Sequence, residues 1–221
     1  MGSPSSEEGR LDSEGPQHKV KVPSFFMGKY PVTQAQWRAI MGDNPSYFKG
    51  DNRPVEQVSW DDCVKFCQEV SSKVGKDVRL PSEAQWEYAC RAGTTTPFYF
   101  GPTLTSELAN YDANYTYAKG PKGTYREQTT EVGEFPPNAF GLYDLHGNVW
   151  EWCQDDWHDN YEGAPTNGSS WLNNSSIKVM RGGSWYAYPR FCRSADRIWG
   201  TRDYRFNLGG FRVALCFGRT T

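Results

Sequence analysis

The stretch from Arg181 to Val213 constrains the fold more than any other part of the sequence. It begins with Arg-Gly-Gly-Ser-Trp, ends with Gly-Phe-Arg-Val, and contains seven Arg, two Asp and eight aromatic residues without a Lys or a Glu. Neither the period of an amphipathic helix nor the alternation of a half-buried strand fits this order. The stretch therefore predicts an irregular surface that the rest of the chain must hold in place.

Three interpretations of this surface stay open from its composition alone. Rigid aromatic rings mixed with Gly, Ala, Ser and Thr are typical of a protein-binding paratope. Arg interleaved with aromatic residues is also typical of a groove for single-stranded nucleic acid. Alternatively the guanidinium groups are structural and bond loop carbonyls and carboxylates. Near-regular spacing favours the structural role for four of them: Arg190, Arg193, Arg197 and Arg205.

The overall composition favours one loop-rich domain. The 221 residues carry a formal net charge of −2, which makes nucleic acid or a membrane an unlikely partner. Aromatic residues make up 15% of the chain beside 22 Gly and 14 Pro, which indicates a core of large rings rather than a helical bundle. Because no apolar run could span a bilayer and no signal peptide begins the chain, we expect a cytoplasmic protein.

The six cysteines indicate buried thiols rather than a disulfide framework. Cys63 and Cys67 lie four residues apart on a predicted helix, which is poor geometry for a disulfide, and no group has the spacing of a zinc site. We therefore expect most of them to be reduced and to pack as small apolar side chains. A cysteine nucleophile would need a base, and the sequence offers only three histidines: His18, His146 and His158.

Capping residues predict three short helices in the first half of the chain. Alternation predicts a strand over 18–23 before them, and no long helix is expected after Gly93. Each helix follows a Thr or Ser that can cap its N-terminus. The predicted helices are Gln34 to Met41 after Thr33, Trp60 to Val70 after Ser59, and a third after Ser82, with Gln85 completing a capping box.

The segment 138–152 contains a candidate cation site. Asp144, Asn148 and Glu151 bring oxygen ligands together around Gly147, where the backbone can turn sharply and present carbonyl groups. Hard oxygen ligands of this kind suit calcium, although the spacing is not that of an EF-hand. The alternative is an ordinary turn with a capped carboxylate.

Several motifs together resemble the formylglycine-generating enzyme (sulfatase-modifying factor) family over nearly the whole chain. The resemblance implies an α+β, C-type-lectin-like fold with few regular elements, formed by residues 1–221 as a single domain. Because Met1 falls within the family's opening strand, we also expect that the chain is part of a larger protein. The motifs are Tyr30-Pro-Val-Thr, Arg79-Leu-Pro-Ser-Glu-Ala-Gln-Trp-Glu-Tyr-Ala, Asn138-Ala-Phe-Gly-Leu-Tyr-Asp, His146-Gly-Asn-Val-Trp-Glu-Trp, Arg181-Gly-Gly-Ser-Trp and Gly210-Phe-Arg.

The resemblance implies a structural calcium but argues against catalysis. The family's calcium loop corresponds to the side chains of Asp144 and Glu151 and the carbonyl groups of Gly147 and Val149. Oxidase members carry a close pair of copper-binding cysteines soon after the Gly-Gly-Ser motif. This chain has only Cys192 there, which corresponds to a later, structural cysteine of the family. Catalysis as a metal-dependent oxidase of the family remains the alternative to a non-catalytic function.

The stretch 181–213 also resembles the variable region of proteins diversified by retroelements. There a reverse transcriptase replaces template adenines at random, and an AAC codon can then encode a wide but restricted set of amino acids. Lys, Glu, Gln and Met fall outside that set and are absent from 182–212. Trp199 also falls outside it, but an AGG codon changed at its adenine would encode Trp. The candidate ligand-binding positions are Tyr186, Ala187, Tyr188, Phe191, Asp196, Ile198, Trp199, Gly200, Thr201, Tyr204, Phe206, Asn207, Leu208 and Gly209.

Together these features predict a non-catalytic binding protein of bacterial origin. A lectin-like scaffold would hold the irregular loops rigidly, so that their sequence can change without unfolding the domain. We expect the candidate positions to cluster on one exposed face and to bind a protein ligand. The expected anchors are the aromatic members of the set: Trp199, Tyr186, Tyr188, Phe191, Tyr204 and Phe206.

Overall fold

The computed structural model describes residues 1–216 of the chain, with side chains up to Leu215, so that 217–221 of the predicted domain lie outside the described residues. Three helices, seven short strands and long ordered loops make up this part of the chain. The helices are α1 (Gln34–Met41), α2 (Trp60–Val74) and α3 (Glu83–Arg91). The strands are β1 (Phe25–Met27), β2 (Val78–Arg79), β3 (Trp150–Asp156), β4 (Ile177–Arg181), β5 (Arg197–Thr201), β6 (Gly209–Gly210) and β7 (Ala214–Cys216).

Local side-chain hydrogen bonds begin each helix, as the sequence predicts. The hydroxyl groups of Thr33, Ser59 and Ser82 each accept a hydrogen bond from the backbone N–H three residues later, and all three form a capping box. Helix α1 ends at Gly42, which adopts a left-handed conformation that costs glycine little. Helix α2 continues to Val74, four residues beyond its predicted end at Val70, because its terminating glycine is Gly75.

The strands form two small sheets. Strand β7 lies between β1 and β2 in one antiparallel sheet, and the other sheet has the order β5-β4-β3-β6 with β6 parallel to β3. In the second sheet Trp152 is opposite Met180, and Met180 is opposite Ile198. These side chains face a large core that also contains Trp37, Phe66 and Phe211. Trp86, Cys153 and Val179 form a second core on the other face.

Two expectations about the chain have different outcomes. The strand predicted over 18–23 does not form, because its backbone bonds to distant segments at two separate points and to different neighbours: His18 pairs with Met1, and the Lys21 N–H donates to the carbonyl of Thr166 at 2.8 Å. Alternation alone was insufficient there, since a strand needs a continuous neighbour. The cysteines whose side chains are described are free and buried, as expected: Cys63, Cys67, Cys90, Cys153 and Cys192.

Candidate ligand-binding surface

The Gly182-Gly183 turn directs the chain from β4 into the loops of the stretch 181–213. Both glycines have positive φ values, 99° and 80°, which other residues rarely adopt. A Cβ on Gly182 would approach the ring of Trp86 to 2.9 Å, and one on Gly183 would collide with Cys192. The close approach therefore holds the first loop, residues 184–196, tightly against the body of the domain.

Buried ion pairs fix the loops from inside. Arg193 donates hydrogen bonds to both carboxylate oxygens of Glu14, at 2.6 and 2.7 Å, and to Glu7 at 2.6 Å. Arg197 forms a bidentate pair with Glu83, at 2.8 and 2.9 Å. Both guanidinium groups are fully buried, so the predicted structural role of these two residues is confirmed.

The other two arginines differ: Arg205 bonds a carboxylate, as the structural role predicts, whereas Arg190 has no carboxylate partner among the described residues. Arg190 is exposed, with its guanidinium 4.4 Å from the ring centroid of Phe191. Arg205 is also exposed and pairs with Asp62 at the start of α2, at 2.7 Å. Near-regular spacing could not separate the buried from the exposed members, because the chain here changes from a 3-10 turn (Pro189–Cys192) to strand β5 and then to a loop.

The first loop exposes two tyrosines beside a second, distant segment. Tyr186 is 57% exposed and Tyr188 is 39% exposed, whereas Ala187 between them is buried and accepts a hydrogen bond from the Asp112 N–H at 3.0 Å. The ring of Tyr188 lies 4.0 Å from the ring of Tyr115, which is itself half exposed. Loop 184–188 and segment 110–115 therefore form one continuous surface.

A hydrogen bond joins this surface to the last loop of the stretch. The Trp185 indole N–H donates to the carbonyl of Asn207 at 3.1 Å. In the same loop Tyr204 is 52% exposed and its ring stacks on Phe206 with a centroid separation of 4.8 Å. Half-buried side chains complete this aromatic patch, which we define as Tyr186, Tyr188, Phe191, Ile198, Tyr204, Phe206, Asn207 and Leu208.

Strand β5 divides the remaining exposed positions from the aromatic patch. Ile198 and Gly200 face the large core, while Trp199 is opposite Val179, a member of the second core. Successive side chains of a strand point to opposite faces. Trp199, 55% exposed, and Thr201 thus lie on the other face of the sheet from Ile198, and the expectation of a single exposed face does not hold for these two.

Four candidate positions are buried and offer no side chain to a ligand. Asp196 is fully buried, 3.4 Å from Arg193, and burial raises its pKa well above the ordinary value. Ala187 is buried in the large core. A Cβ on Gly200 would meet the ring of Trp152 at 2.7 Å, and one on Gly209 would meet the ring of Phe206 at 2.5 Å.

Sequence reasoning missed the half of the surface that lies outside the stretch 181–213. Phe48 packs edge-on against Trp185 with ring centroids 5.3 Å apart, and Tyr125 stacks near the same indole at 6.4 Å. Asp112 and Tyr115 border the other tyrosines. The run of aromatic and Asn or Asp residues over 110–117 is the only sequence signal that could have indicated them.

The candidate calcium ligands fit a cation only in part. The buried Oδ1 of Asp144 has no hydrogen-bond partner within the described residues, and burial raises the pKa of this carboxyl to about 6. Both carboxylate oxygens of Glu151, however, accept hydrogen bonds at 2.7 Å from Arg212, and one also accepts from the Trp86 indole at 2.6 Å. Arg212 thus already supplies a positive charge to Glu151, and its charge also acts on Asp144.

The carbonyl groups predicted as ligands are close to the same turn. The Gly147 carbonyl accepts the Val149 N–H at 2.9 Å, and Gly147 has a φ of 98°. No cluster of three or more His, Cys, Asp and Glu side chains suited to a metal occurs in the described part of the chain. A calcium ion would therefore depend on Asp144 and backbone oxygens more than on Glu151.

Cys90, His146 and Cys192 lie close together and are buried. The Cys90 sulfur is 3.9 Å from His146, and the His146 Nδ1 is 2.7 Å from the carbonyl of Cys192. Burial raises the pKa of Cys90 to about 12 and lowers the pKa of His146 to about 3. These shifts favour the neutral form of both side chains near pH 7, whereas nucleophilic catalysis needs a thiolate.

None of the helices within the described residues is both long and apolar enough to cross a membrane.

Residues 1–216 match the sulfatase-modifying factor enzyme 1-like domain. The formylglycine-generating enzyme of Mus musculus is 34% identical over 215 residues, which cover 94% of this chain and 56% of the mouse protein. Among solved structures, PvdO from Pseudomonas aeruginosa has a TM-score of 0.83 and 35% identity, covering 97% of this chain and 89% of PvdO. Treponema denticola variable protein 1 has a TM-score of 0.81 and 28% identity, covering 93% and 88%.

These similarities confirm the predicted α+β, C-type-lectin-like fold of the formylglycine-generating enzyme type. The chain spans little more than half the length of the mouse enzyme.

Proposed function

The chain belongs to the sulfatase-modifying factor enzyme 1-like family, and we propose that it is a non-catalytic member of that family. In this proposal it binds a protein ligand through the aromatic patch. The observation that carries the proposal is the exposure of Tyr186, Tyr188 and Tyr204 on loops that ion pairs, buried in the first loop and exposed in the last, tie to the rest of the domain. Tyrosine provides a large contact area with few rotatable bonds, so its ordering on binding costs little entropy.

Rigid support distinguishes this patch from an accidental exposure of aromatic side chains. Each loop that carries it is tied to a distant segment: the first through Arg193 and Glu14, the last through Trp185 and Asn207. A surface that is already ordered loses less conformational entropy when a partner binds. Such a scaffold also tolerates changes at exposed positions without loss of the fold.

We further propose that a retroelement has diversified the stretch 181–213. The likeness to Treponema denticola variable protein 1 supports this proposal, as does the absence of Lys, Glu, Gln and Met from 182–212. The test is to read the encoding DNA and search the neighbouring genome for a second copy of this stretch beside a reverse transcriptase. A copy that differs only at its adenines is the expected result. Differences at other template bases would refute diversification by this route.

The binding proposal is tested by comparing three purified proteins in affinity capture with quantitative mass spectrometry. These are the wild type, a patch variant with Tyr186→Ser, Tyr188→Ser and Tyr204→Ser, and a control with Tyr88→Ser and Phe140→Ser. The control removes two exposed aromatic side chains near α3, outside the patch. All replaced side chains are at least 39% exposed, so each variant should fold.

We expect that the wild type and the control capture a protein that the patch variant does not capture. After separate purification, that protein should bind the wild type directly. Equal capture by the patch variant and the control would contradict the proposal. So would a purified candidate whose dissociation constants for the wild type and the patch variant are the same.

The likeness to the mouse formylglycine-generating enzyme favours an oxidase as the second candidate function. Cys192 would have to provide a thiolate, but burial raises the pKa of this thiol far above its ordinary range. The test is to incubate the purified protein with copper or iron, oxygen and a cysteine-containing sulfatase peptide, and to detect aldehyde by hydrazine labelling. We expect no aldehyde, and turnover that Cys192→Ser abolishes would replace the binding proposal with catalysis.

We also propose calcium as a structural ion at Asp144, supported by the unpartnered Oδ1 of this buried carboxylate. The carbonyl groups of Gly147 and Val149 would complete the ligands, while Glu151 keeps its pair with Arg212. Calcium should raise the midpoint of thermal unfolding for the wild type but not for Asp144→Asn. An equal response of both proteins, or none in the wild type, would contradict this site.

A further inference from the structure

Asp112 is a nearly buried carboxylate beside the aromatic patch that no positive charge neutralises. The residue is 7% exposed, and its Oδ1 accepts one hydrogen bond, from the Asn114 N–H at 3.1 Å. Within the described residues its Oδ2 accepts none, and the side chain forms no ion pair. The buried acids Glu14 and Glu151, by contrast, each pair with an arginine.

Backbone hydrogen bonds bring Asp112 next to the tyrosines of this surface. Its carbonyl accepts the Tyr115 N–H at 3.3 Å, and its N–H donates to the carbonyl of Ala187, the neighbour of Tyr188, at 3.0 Å. Tyr115 and Tyr188 lie with ring centroids 4.0 Å apart. Burial raises the pKa of Tyr125 to about 12, and the charge of Asp112 contributes to that rise. A hydrogen bond with Tyr115 raises the pKa of Tyr188, and Asp112 again contributes. Asp112 therefore lies on the same part of the surface as these tyrosines, and its charge acts on Tyr125 and Tyr188.

We propose that Asp112 and the rings of Tyr115, Tyr125 and Tyr188 form a site for a lysine side chain of the protein partner. This inference rests on the proposed function. A carboxylate removed from water is stabilised by a counter-charge that also donates a hydrogen bond. An aromatic face attracts the same cation through its quadrupole. An ammonium group satisfies both requirements, since it can donate to the free Oδ2 while its methylene chain lies on a ring.

No side chain of the protein itself fills this role in the described structure. Arg190, the basic residue nearest in sequence to Tyr188, lies over the ring of Phe191 instead. Glu127, whose charge also raises the pKa of Tyr125, makes the surroundings more negative. The charge complement must therefore come from a ligand.

Most of this site lies outside the stretch 181–213. Asp112, Tyr115 and Tyr125 belong to the scaffold, and only Tyr188 is a candidate diversified position. Changes within the stretch would then alter the shape of the surface while the preference for a basic group stays constant. The scaffold thus contributes specificity for charge, and the loops contribute specificity for shape.

The probe for this site is Nα-acetyl-lysine methylamide, with the norleucine analogue as a neutral control of similar shape. Each compound is titrated into ¹⁵N-labelled protein, and the amide resonances of Asp112, Asn114 and Ala187 are followed by NMR. Three proteins are compared: the wild type, Asp112→Asn and Asp203→Asn. Asparagine can still accept the Asn114 N–H, so the variant should keep its fold, and Asp203 is an exposed carboxylate within the stretch.

We expect the lysine compound to shift these resonances and to bind the wild type and Asp203→Asn equally. Its affinity for Asp112→Asn should be about tenfold lower, as for the loss of one charge-assisted hydrogen bond. Equal shifts with the norleucine compound, or equal affinity for Asp112→Asn, would overturn the proposal. If the lysine compound fails but a partner still depends on Tyr186 and Tyr204, the binding function stands and only the lysine site is wrong.

Discussion

Glu56 lies beneath the loop that positions Phe48 and predicts how stability depends on pH. Its side chain is fully buried; Oε1 accepts the Phe48 N–H at 2.7 Å, and Oε2 has no partner within the described residues. Burial raises the pKa of this carboxyl from 4.5 to about 7, although the backbone N–H groups of Phe48 and Tyr47 oppose the rise. The folded protein therefore holds this proton more tightly than the unfolded chain.

The sign and the size of the effect follow from this difference. Below pH 4.5 both states are protonated at Glu56, and the full contribution to stability is present. Between 4.5 and about 7 the unfolded chain releases the proton first, so the free energy of unfolding falls as the pH rises. The interval between these two values corresponds to about 3 kcal/mol, which is lost once the pH exceeds about 7.

The perturbation that isolates this effect is Glu56→Gln, a neutral side chain of the same shape. Urea unfolding followed by tryptophan fluorescence gives the free energy of unfolding at about pH 5 and about pH 8. Relative to the wild type, the variant should gain about 2.5 kcal/mol between these conditions, because only the wild type has to bury a charge and because part of the effect is already lost at about pH 5. Other titrating groups are common to both proteins and cancel.

Glu69→Gln is the matched control, since Glu69 is exposed on α2 and its removal should leave the pH dependence of the wild type unchanged. Wild type and Glu56→Gln curves that stay parallel from about pH 5 to about pH 8 would refute the reasoning. Such a result would mean that water or a rearranged loop solvates Glu56 in the folded protein.

Three further predictions concern the stretch 181–213 and the thiols. Gly200→Ala should destabilise the protein by about 1–3 kcal/mol in urea unfolding, because the new methyl group meets Trp152. The control Thr201→Ala should change stability by less than about 0.5 kcal/mol. Equal effects would contradict the close packing of Gly200 on Trp152. Arg193→Met should cost about 3–5 kcal/mol by leaving Glu14 buried without its cation, and a neutral result would disprove that role. In a Cys216→Ser protein, a thiol reagent should react only at the rate of unfolding, and rapid labelling of the native protein would show that a thiol is accessible. The thiols concerned are Cys63, Cys67, Cys90, Cys153 and Cys192.

Local signals predicted the helices, whereas the strands depended on distant partners. Thr33, Ser59 and Ser82 each mark a helix start because the capping hydrogen bond spans three residues and can be read directly from the sequence. The failed strand over 18–23 has suitable alternation, but no continuous neighbour pairs with it within residues 1–216. Pairing is a tertiary property, so alternation indicates only that a strand is possible.

The same limit explains the partial prediction of the surface. Composition identified the stretch that carries Tyr186, Tyr188 and Tyr204, all of which are exposed. It could not place Trp199 on the opposite face of β5, because that follows from its register with Val179. Nor could it find Asp112 and Tyr115, which precede the stretch by 69 and 66 residues and meet it only in the folded chain.

The division between buried and exposed residues explains how one stretch can be both variable and rigid. Arg193 and Arg197 lie inside the stretch, but the carboxylates that hold them, on Glu14 and Glu83, come from the first half of the chain. The first loop and strand β5 therefore receive much of their order from residues that diversification would not reach. Exposed positions such as Tyr186 take no part in these ion pairs, so their replacement changes the surface and leaves its support intact. Binding specificity can then change at constant stability, provided that the buried arginines remain.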